Sequence, residues 1–303
     1  MATKRALKSV PRPGVGTSWT DATESFLRRD LAPGTRRIYR LALAAVGEHL
    51  DTTMLAEITV ADLGRALGSA YPFASPATWN RVVATVRSFW AFARRQGWTQ
   101  TDAVAALERR RMVQDHDRAL SQQDLDRLLT RRDVSLRDRC LWHVLYETGA
   151  RASEVLNLNV EDIDLGARRA HTVRKGGDRD VLHFQTGSAR LLPKVIDGRA
   201  IGPLFLAARS SSPSRVPALA DVDPSSGLAR LSYRRAAEVF SDASGGKTLH
   251  QLRHSAISHL AEAGVPLPLL MAKSRHSSLR SLQRYARPSV AAVSAAHDPA
   301  ARR

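Results

Sequence analysis

The stretch "TLHQLRHSAISHLAEAGV", Thr248–Val265, decides how this chain is read. Its punctuation is that of a helix: Thr248 caps it, apolar residues recur at helical spacing, and Gly264 stands two residues before Pro266. Near its start, His250, Arg253 and His254 fall within an arc of about 100°. The helix dipole already makes that end positive. Such a cluster calls for an anion. His250 and His254 also have the i, i+4 spacing of zinc-binding helices. The residue between them is Gln251 where glutamate is expected, and no third ligand is evident, so no metal is expected. Arginine and imidazole donors at a helix N-terminus suit a phosphate better.

The whole chain points the same way. It has 46 Lys+Arg against 29 Asp+Glu, a formal net charge of +17 in 303 residues, which favours nucleic acid as partner over an anionic membrane surface. Only Lys4, Lys8, Lys175, Lys194, Lys247 and Lys273 are lysines, so the basic side chains are overwhelmingly the planar forks that match phosphate. The length allows two domains. The lone Cys140, in "CLWHVLY", excludes an internal disulfide and reads as a buried small hydrophobe. No apolar run approaches the roughly 20 residues of a membrane span. The opening "MATKRALKSVPRPGVG" has no apolar core of a signal peptide, so a cytoplasmic location is expected.

Working outward from Thr248, the organisation reads as a flexible basic arm (1–17), a helical domain (18–111), a linker (112–120) and a mixed domain (121–303). In the helical domain, "PGTRRIYRLALAAVGEHL" takes Thr35 as its cap and places Ile38, Leu41, Ala42 and Ala45 near one stripe. Thr59 with Asp62 forms a capping-box variant. In "SPATWNRVVATVRSFWAFARRQGW", Ser75 caps, Pro76 takes the first turn, Val82, Val86, Phe89 and Ala93 recur at helical spacing, and Gly97 stops the helix. Arg36, Arg37, Arg40, Arg81, Arg87, Arg94 and Arg95 decorate these helices and, as a set, suit backbone phosphates. The mixed domain opens with Ser121 capping over Asp124. It continues through "RRAHTVRKGGDRDVLHF", two β-like runs around Gly176-Gly177 and so a hairpin.

Further pieces complete a pattern. "ETGARASEVLNL" puts Arg151 after a glycine turn with Glu154 one helical turn on. "RKGGDRD" puts Lys175 at a hairpin tip, and "SRHSSLRSLQRYARPS" puts His276 nine residues before Tyr285. Arginine, hairpin lysine, His-x-x-Arg, histidine and then tyrosine, in this order, resemble the tyrosine recombinase (phage integrase) family over nearly the whole chain.

That resemblance implies a mainly α fold with a small β-sheet: a helical, SAM-like core-binding domain followed by an α+β catalytic domain. It implies a site-specific DNA recombinase that acts through a 3′-phosphotyrosyl intermediate. Tyr285 would be the nucleophile, Arg151 and Arg253 would grip the non-bridging oxygens, and Lys175 would protonate the leaving 5′-oxygen. His250 would assist proton movement at the tyrosine hydroxyl, His276 would hydrogen-bond the phosphate, and Glu154 would orient the site. No cofactor is implied, because the covalent link keeps the phosphodiester energy. The implied partners are double-stranded DNA and further copies of the chain in a synaptic tetramer, with the Val290–Ala296 patch docking either on a neighbour or on its own domain.

Two departures from the family pattern stand out. Ser274-Arg275 replaces the usual Leu-Gly before the histidine, leaving Arg275 to bind DNA or to face solvent. Arg174 and Asp178 alter the usual Gly-Lys-Gly hairpin. His254 takes a structural role. The competing readings are an architectural DNA-binding protein with dead chemistry and a type IB topoisomerase. With about 17 residues before the first helix, a simple recombinase with short inverted-repeat sites is expected.

Overall fold

The computed structural model describes residues 16–112, 119–173, 179–208, 216–275 and Leu282. The chain divides into two compact units, Met1–Gln114 and Asp115–Arg303. The arm, the hairpin tip with Lys175, and the segments holding His276, Tyr285 and Val290–Ala296 lie outside the described residues.

The first unit is made of α1 (Trp19–Leu27), α2 (Pro33–Gly47), α3 (Val60–Ala70) and α4 (Pro76–Arg95). The start signals act locally. The Ser18 hydroxyl accepts from the Asp21 N–H, Thr59 and Asp62 form a reciprocal box, and Ser75 accepts from the Thr78 N–H with Pro76 in the first turn. Gly97, at φ +74°, ends α4 in the left-handed region that glycine adopts freely.

Helix α2 departs from the sequence reading. It starts at Pro33 after Ala32, so Thr35 lies inside it and caps nothing. Its core face is Ala42, Leu43 and Val46, while Ile38 is 43% and Leu41 61% exposed. Arg36, Arg37 and Arg40 share one side of α2, but apolar residues span the rest of its circumference, so the period alone did not single out the buried face. The rest of the core is aromatic: Phe89 meets Trp19 edge-on at 4.8 Å and Phe26 at 5.5 Å. Beyond α4 the chain turns back along it. The Trp79 and Asn80 side chains donate to the carbonyls of Glu108 and Arg110 at 2.9 Å each, and Arg87 Nη2 donates to the Leu107 carbonyl at 2.6 Å.

The second unit holds α5 (Gln122–Thr130), α6 (Leu136–Thr148), α7 (Ala152–Leu156), β1 (Ile163–Asp164), β2 (Arg169–Val173), β3 (Arg179–His183), α8 (Thr186–Ile196), α9 (Tyr233–Ser244), α10 (Leu249–Glu262) and α11 (Leu267–Ser274). The strands form one antiparallel sheet in the order β1-β2-β3, with Val173 opposite Arg179 at the turn end of the expected hairpin. Helix α6 runs through the core, burying Cys140, Leu141, Trp142 and Leu145. Near its C-terminus, Glu147 receives the Gln185 N–H at 2.7 Å and the Ser188 N–H at 3.2 Å, closing the N-terminus of α8. Gly187 permits this approach, since a Cβ there would fall 2.5 Å from the Glu147 carboxylate. Where the chain enters this unit, the Leu120 N–H donates to Ser255 Oγ at 2.8 Å. His259 Nε2 meets the Leu120 carbonyl at 2.9 Å, and the Tyr146 hydroxyl lies 3.0 Å from His259 Nδ1.

Candidate active site

Three chain ends converge in the second unit. The first is the turn after α6. Gly149 takes φ +60°, Thr148 Oγ1 donates to the Val144 carbonyl at 2.6 Å, and the Ala150 N–H returns to that hydroxyl at 3.2 Å. This tight closure delivers Arg151 to the N-cap of α7. The Arg151 guanidinium remains about half exposed (53%) and donates from Nη1 to Glu154 Oε1 at 2.8 Å. Its own N–H donates to Glu154 Oε2 at 2.9 Å.

The second is the start of α10. Gln251, which stands where a zinc helix would carry glutamate, accepts from the Thr248 N–H at 2.7 Å and so serves a capping box. The rings of His250 and His254 pack edge to face with centroids 5.1 Å apart; His250 is exposed and His254 half-buried. Arg253 turns inward and is only 2% exposed. It donates from Nη1 to the Gly149 carbonyl at 2.5 Å and from Nη2 to the Ser274 carbonyl at 2.7 Å.

The third is the end of α11. Ser274 is buried, and the following Arg275, at φ +55°, caps the helix in the left-handed region. Of the two placements that sequence left open, binding DNA or facing solvent, the second is not the one observed, because Arg275 is buried. It is 8% exposed, and Nη2 donates to Glu154 Oε2 at 2.8 Å. Its Nε lies 3.8 Å from Asp180 of β3. Burial would raise the Glu154 carboxyl, but the Arg151 N–H, the Arg275 charge and the Arg151 side chain outweigh it and hold it below the ordinary carboxylate range. On the same side, Lys273 lines a cleft of about 560 Å³ with Asp180 and Arg275. Burial lowers its ammonium pKa, Glu147 opposes this, and Arg275 adds to the lowering.

The structure thus brings Arg151, Glu154 and Arg253 together around the Gly149 turn, with His250 exposed in the first turn of the helix that carries Arg253. Lys175, His276 and Tyr285 lie outside the described residues, His276 immediately following Arg275. Of the arginines on the first unit, Arg36 donates to the Leu27 and Arg29 carbonyls at 3.0 and 3.1 Å, and Arg87 to the Leu107 carbonyl. Arg37, Arg40, Arg81 and Arg95 are exposed, and Arg94 lies 3.9 Å from Asp102. Sequence reasoning missed Asp180 and the inward course of Arg275. The one available signal was an arginine at a position where the family pattern has glycine.

Sequence similarity agrees with this fold. The profile of the Phage integrase family matches residues 118–291, and that of the phage integrase N-terminal SAM-like domain matches 24–97. A tyrosine recombinase XerC of Rhodospirillum centenum (strain ATCC 51521 / SW) is 31% identical over 278 residues, covering 85% of this chain and 78% of the relative. A tyrosine recombinase XerC of Mycobacterium sp. (strain JLS) is 29% identical over 308 residues, covering 92% and 97%. Among solved structures, a lambda integrase fragment crystallised as a dimer on a COC′ core site shares the fold with a TM-score of 0.71 at 16% identity, covering 89% of this chain and 94% of that one. The Tn1549 transposon integrase in complex with circular intermediate DNA does so at 0.68 and 14%, covering 93% and 99%. The chain belongs to the phage integrase family, the tyrosine-type site-specific DNA recombinases.

Proposed function

We propose that this recombinase cuts and rejoins duplex DNA through Tyr285, with Arg151, Arg253, Lys175, His250 and His276 acting on one scissile phosphate. The observation that carries the reading is the placement of Arg253. A buried guanidinium held by the carbonyls of Gly149 and Ser274 fixes, on one rigid fork, the turn that presents Arg151 and the chain that leads into His276. Fixing that turn pre-sets the half-exposed guanidinium of Arg151 for the charge that grows on the non-bridging oxygens.

In the proposed step the Tyr285 oxygen bonds to phosphorus, and its proton passes toward His250. The bond from phosphorus to the 5′-oxygen breaks, and Lys175 supplies the proton that makes it a hydroxyl. Rejoining is the same step in reverse with a different 5′-hydroxyl. The phosphodiester is exchanged for a phosphotyrosyl ester, so no nucleotide is consumed. Membership of this family does not favour the inactive architectural reading or the topoisomerase reading. The partners are double-stranded DNA and further copies of the chain. Support for the latter comes from a lambda integrase tetramer bound to a Holliday junction, which shares the fold with a TM-score of 0.68. The exposed Arg37, Arg40, Arg81 and Arg95 are the arginines of the first unit assigned to DNA phosphates; a cytoplasmic location accords with this partner.

The test is covalent trapping. The wild-type protein on a nicked suicide substrate carrying its site is expected to give a protein–DNA adduct on a denaturing gel, without added metal or nucleotide. Tyr285→Phe, which removes one oxygen, is expected to bind DNA with unchanged affinity and give none. An adduct that survives this substitution would overturn the assignment of the nucleophile.

A further inference from the structure

Arg275 occupies a backbone conformation that costs an L-residue roughly 1 kcal/mol relative to glycine, and its side chain is 5% exposed. A long charged side chain buried at such a position needs a reason. Glu154 supplies one: a single carboxylate shared between two guanidiniums, Arg151 on Oε1 and Arg275 on Oε2, each at 2.8 Å. The same Arg275 faces Asp180 on β3 at 3.8 Å.

We infer that Arg275 is a positioning residue for strand cleavage: it neutralises Glu154 from α11, so that the exposed guanidinium of Arg151 stays available to the scissile phosphate. This rests on the recombinase reading above. The argument is one of charge balance. A buried carboxylate requires a cation. With Arg275 present, Glu154 already has one, and the half-exposed Arg151 needs to spend only one N–H on it. Without Arg275, Arg151 is the remaining guanidinium on that carboxylate and is drawn down onto it, away from substrate. A guanidinium fork can engage Glu154 while lying beside Asp180, so the last turn of α11, next to His276, is tied at once to α7 and to β3. The point charge of a lysine cannot do both.

The test compares full-length wild type, Arg275→Gly, Arg275→Lys, Glu154→Gln and the double variants Arg275→Gly/Glu154→Gln and Arg275→Lys/Glu154→Gln. Each is measured for single-turnover cleavage of a suicide substrate, DNA affinity and thermal melting. Glycine suits the left-handed conformation, so the first variant removes the side chain without straining the backbone. Arg275→Gly is expected to cleave about 10- to 100-fold more slowly, the scale of a displaced catalytic group, with DNA affinity within about twofold. Arg275→Lys is expected to recover only part of the rate. The decisive readout is the double variant. Removing the carboxylate charge releases Arg151, so Arg275→Gly/Glu154→Gln should cleave at least about fivefold faster than Arg275→Gly, whereas independent structural defects would compound.

Cleavage by Arg275→Gly at the wild-type rate, or a double variant no faster than the single, would overturn the inference. If Arg275→Gly melts below the assay temperature, Arg275→Lys against Arg275→Lys/Glu154→Gln decides by the same criterion. A wild type that forms no adduct would overturn the recombinase reading, and this inference with it.

Discussion

The two units differ in what they bury. Among the described residues, the polar side chains buried in the first unit are Thr17, Thr85 and Thr99, and its core is carried by Trp19, Phe26, Phe89 and Trp90. The second unit buries Asp138, Glu147, Glu154, Asp223, Arg253 and Arg275. Each of these makes a specific contact: Arg137 on Asp138, backbone N–H groups on Glu147, Ser225 and Ser226 on Asp223, and the carbonyls and carboxylate already described for the arginines. Apolar packing is non-directional and holds helices together without aiming anything. Buried ion pairs are directional and contribute little net stability. The second unit uses them where side chains must be aimed, and leaves the first unit to present exposed arginines.

The largest effect that sharpens this contrast is a core truncation. Trp90→Ala should cost the first unit about 3–5 kcal/mol, since it empties a fully buried ring site. The Trp90 ring is 0% exposed, and its Nε1–H is bonded to the Thr101 carbonyl. Region-resolved hydrogen exchange on the whole chain should show the loss in residues 16–112. An equal loss in the second unit would break the comparison.

Acid should act the other way. Burial would raise the carboxyls of Asp223 and Glu147. Hydrogen bonds from Ser226 and Ser225 nevertheless hold Asp223 down to about 2, and His143, Ser188 and Gln185 hold Glu147 below its ordinary value. A carboxyl depressed in the folded state contributes stability above its unfolded pKa, about 4. That contribution is lost as pH falls through the folded value. Between about pH 4 and pH 2, exchange protection should therefore fail in the second unit before the first. Simultaneous loss in both would contradict the division.

The smallest effect separates two neighbouring arginines. Arg36, spent on the Leu27 and Arg29 carbonyls, should cost about 1 kcal/mol on substitution by alanine and leave the salt dependence of DNA binding unchanged. Arg37→Ala should change stability by less than about 0.5 kcal/mol. It should also lower the slope of log affinity against log salt by about 0.9. Identical slopes for the two variants would remove the exposed arginines from the DNA surface.

The sequence by itself determined the parts whose causes are local. Ser18, Thr59, Ser75, Ser121 and Ser135 each accept an N–H three residues on, so helix starts follow from spacing. Val82, Val86, Phe89 and Ala93 on one face of α4 are all buried, and the two β-like runs pair as read. The order of chemical residue types was legible too, because it is carried by identity and spacing. Tertiary structure alone decided which face of α2 is inside, since apolar residues span all of it but the side that carries Arg36, Arg37 and Arg40. It decided that Arg36 and Arg87 serve carbonyls, and that Leu120 is fastened to Ser255, 135 residues away. It also decided that Arg275 turns inward to Glu154, 121 residues earlier in the chain. Capping and periodicity act within a turn or two of the backbone, whereas a buried charge takes its partner from whichever element the folded core sets beside it.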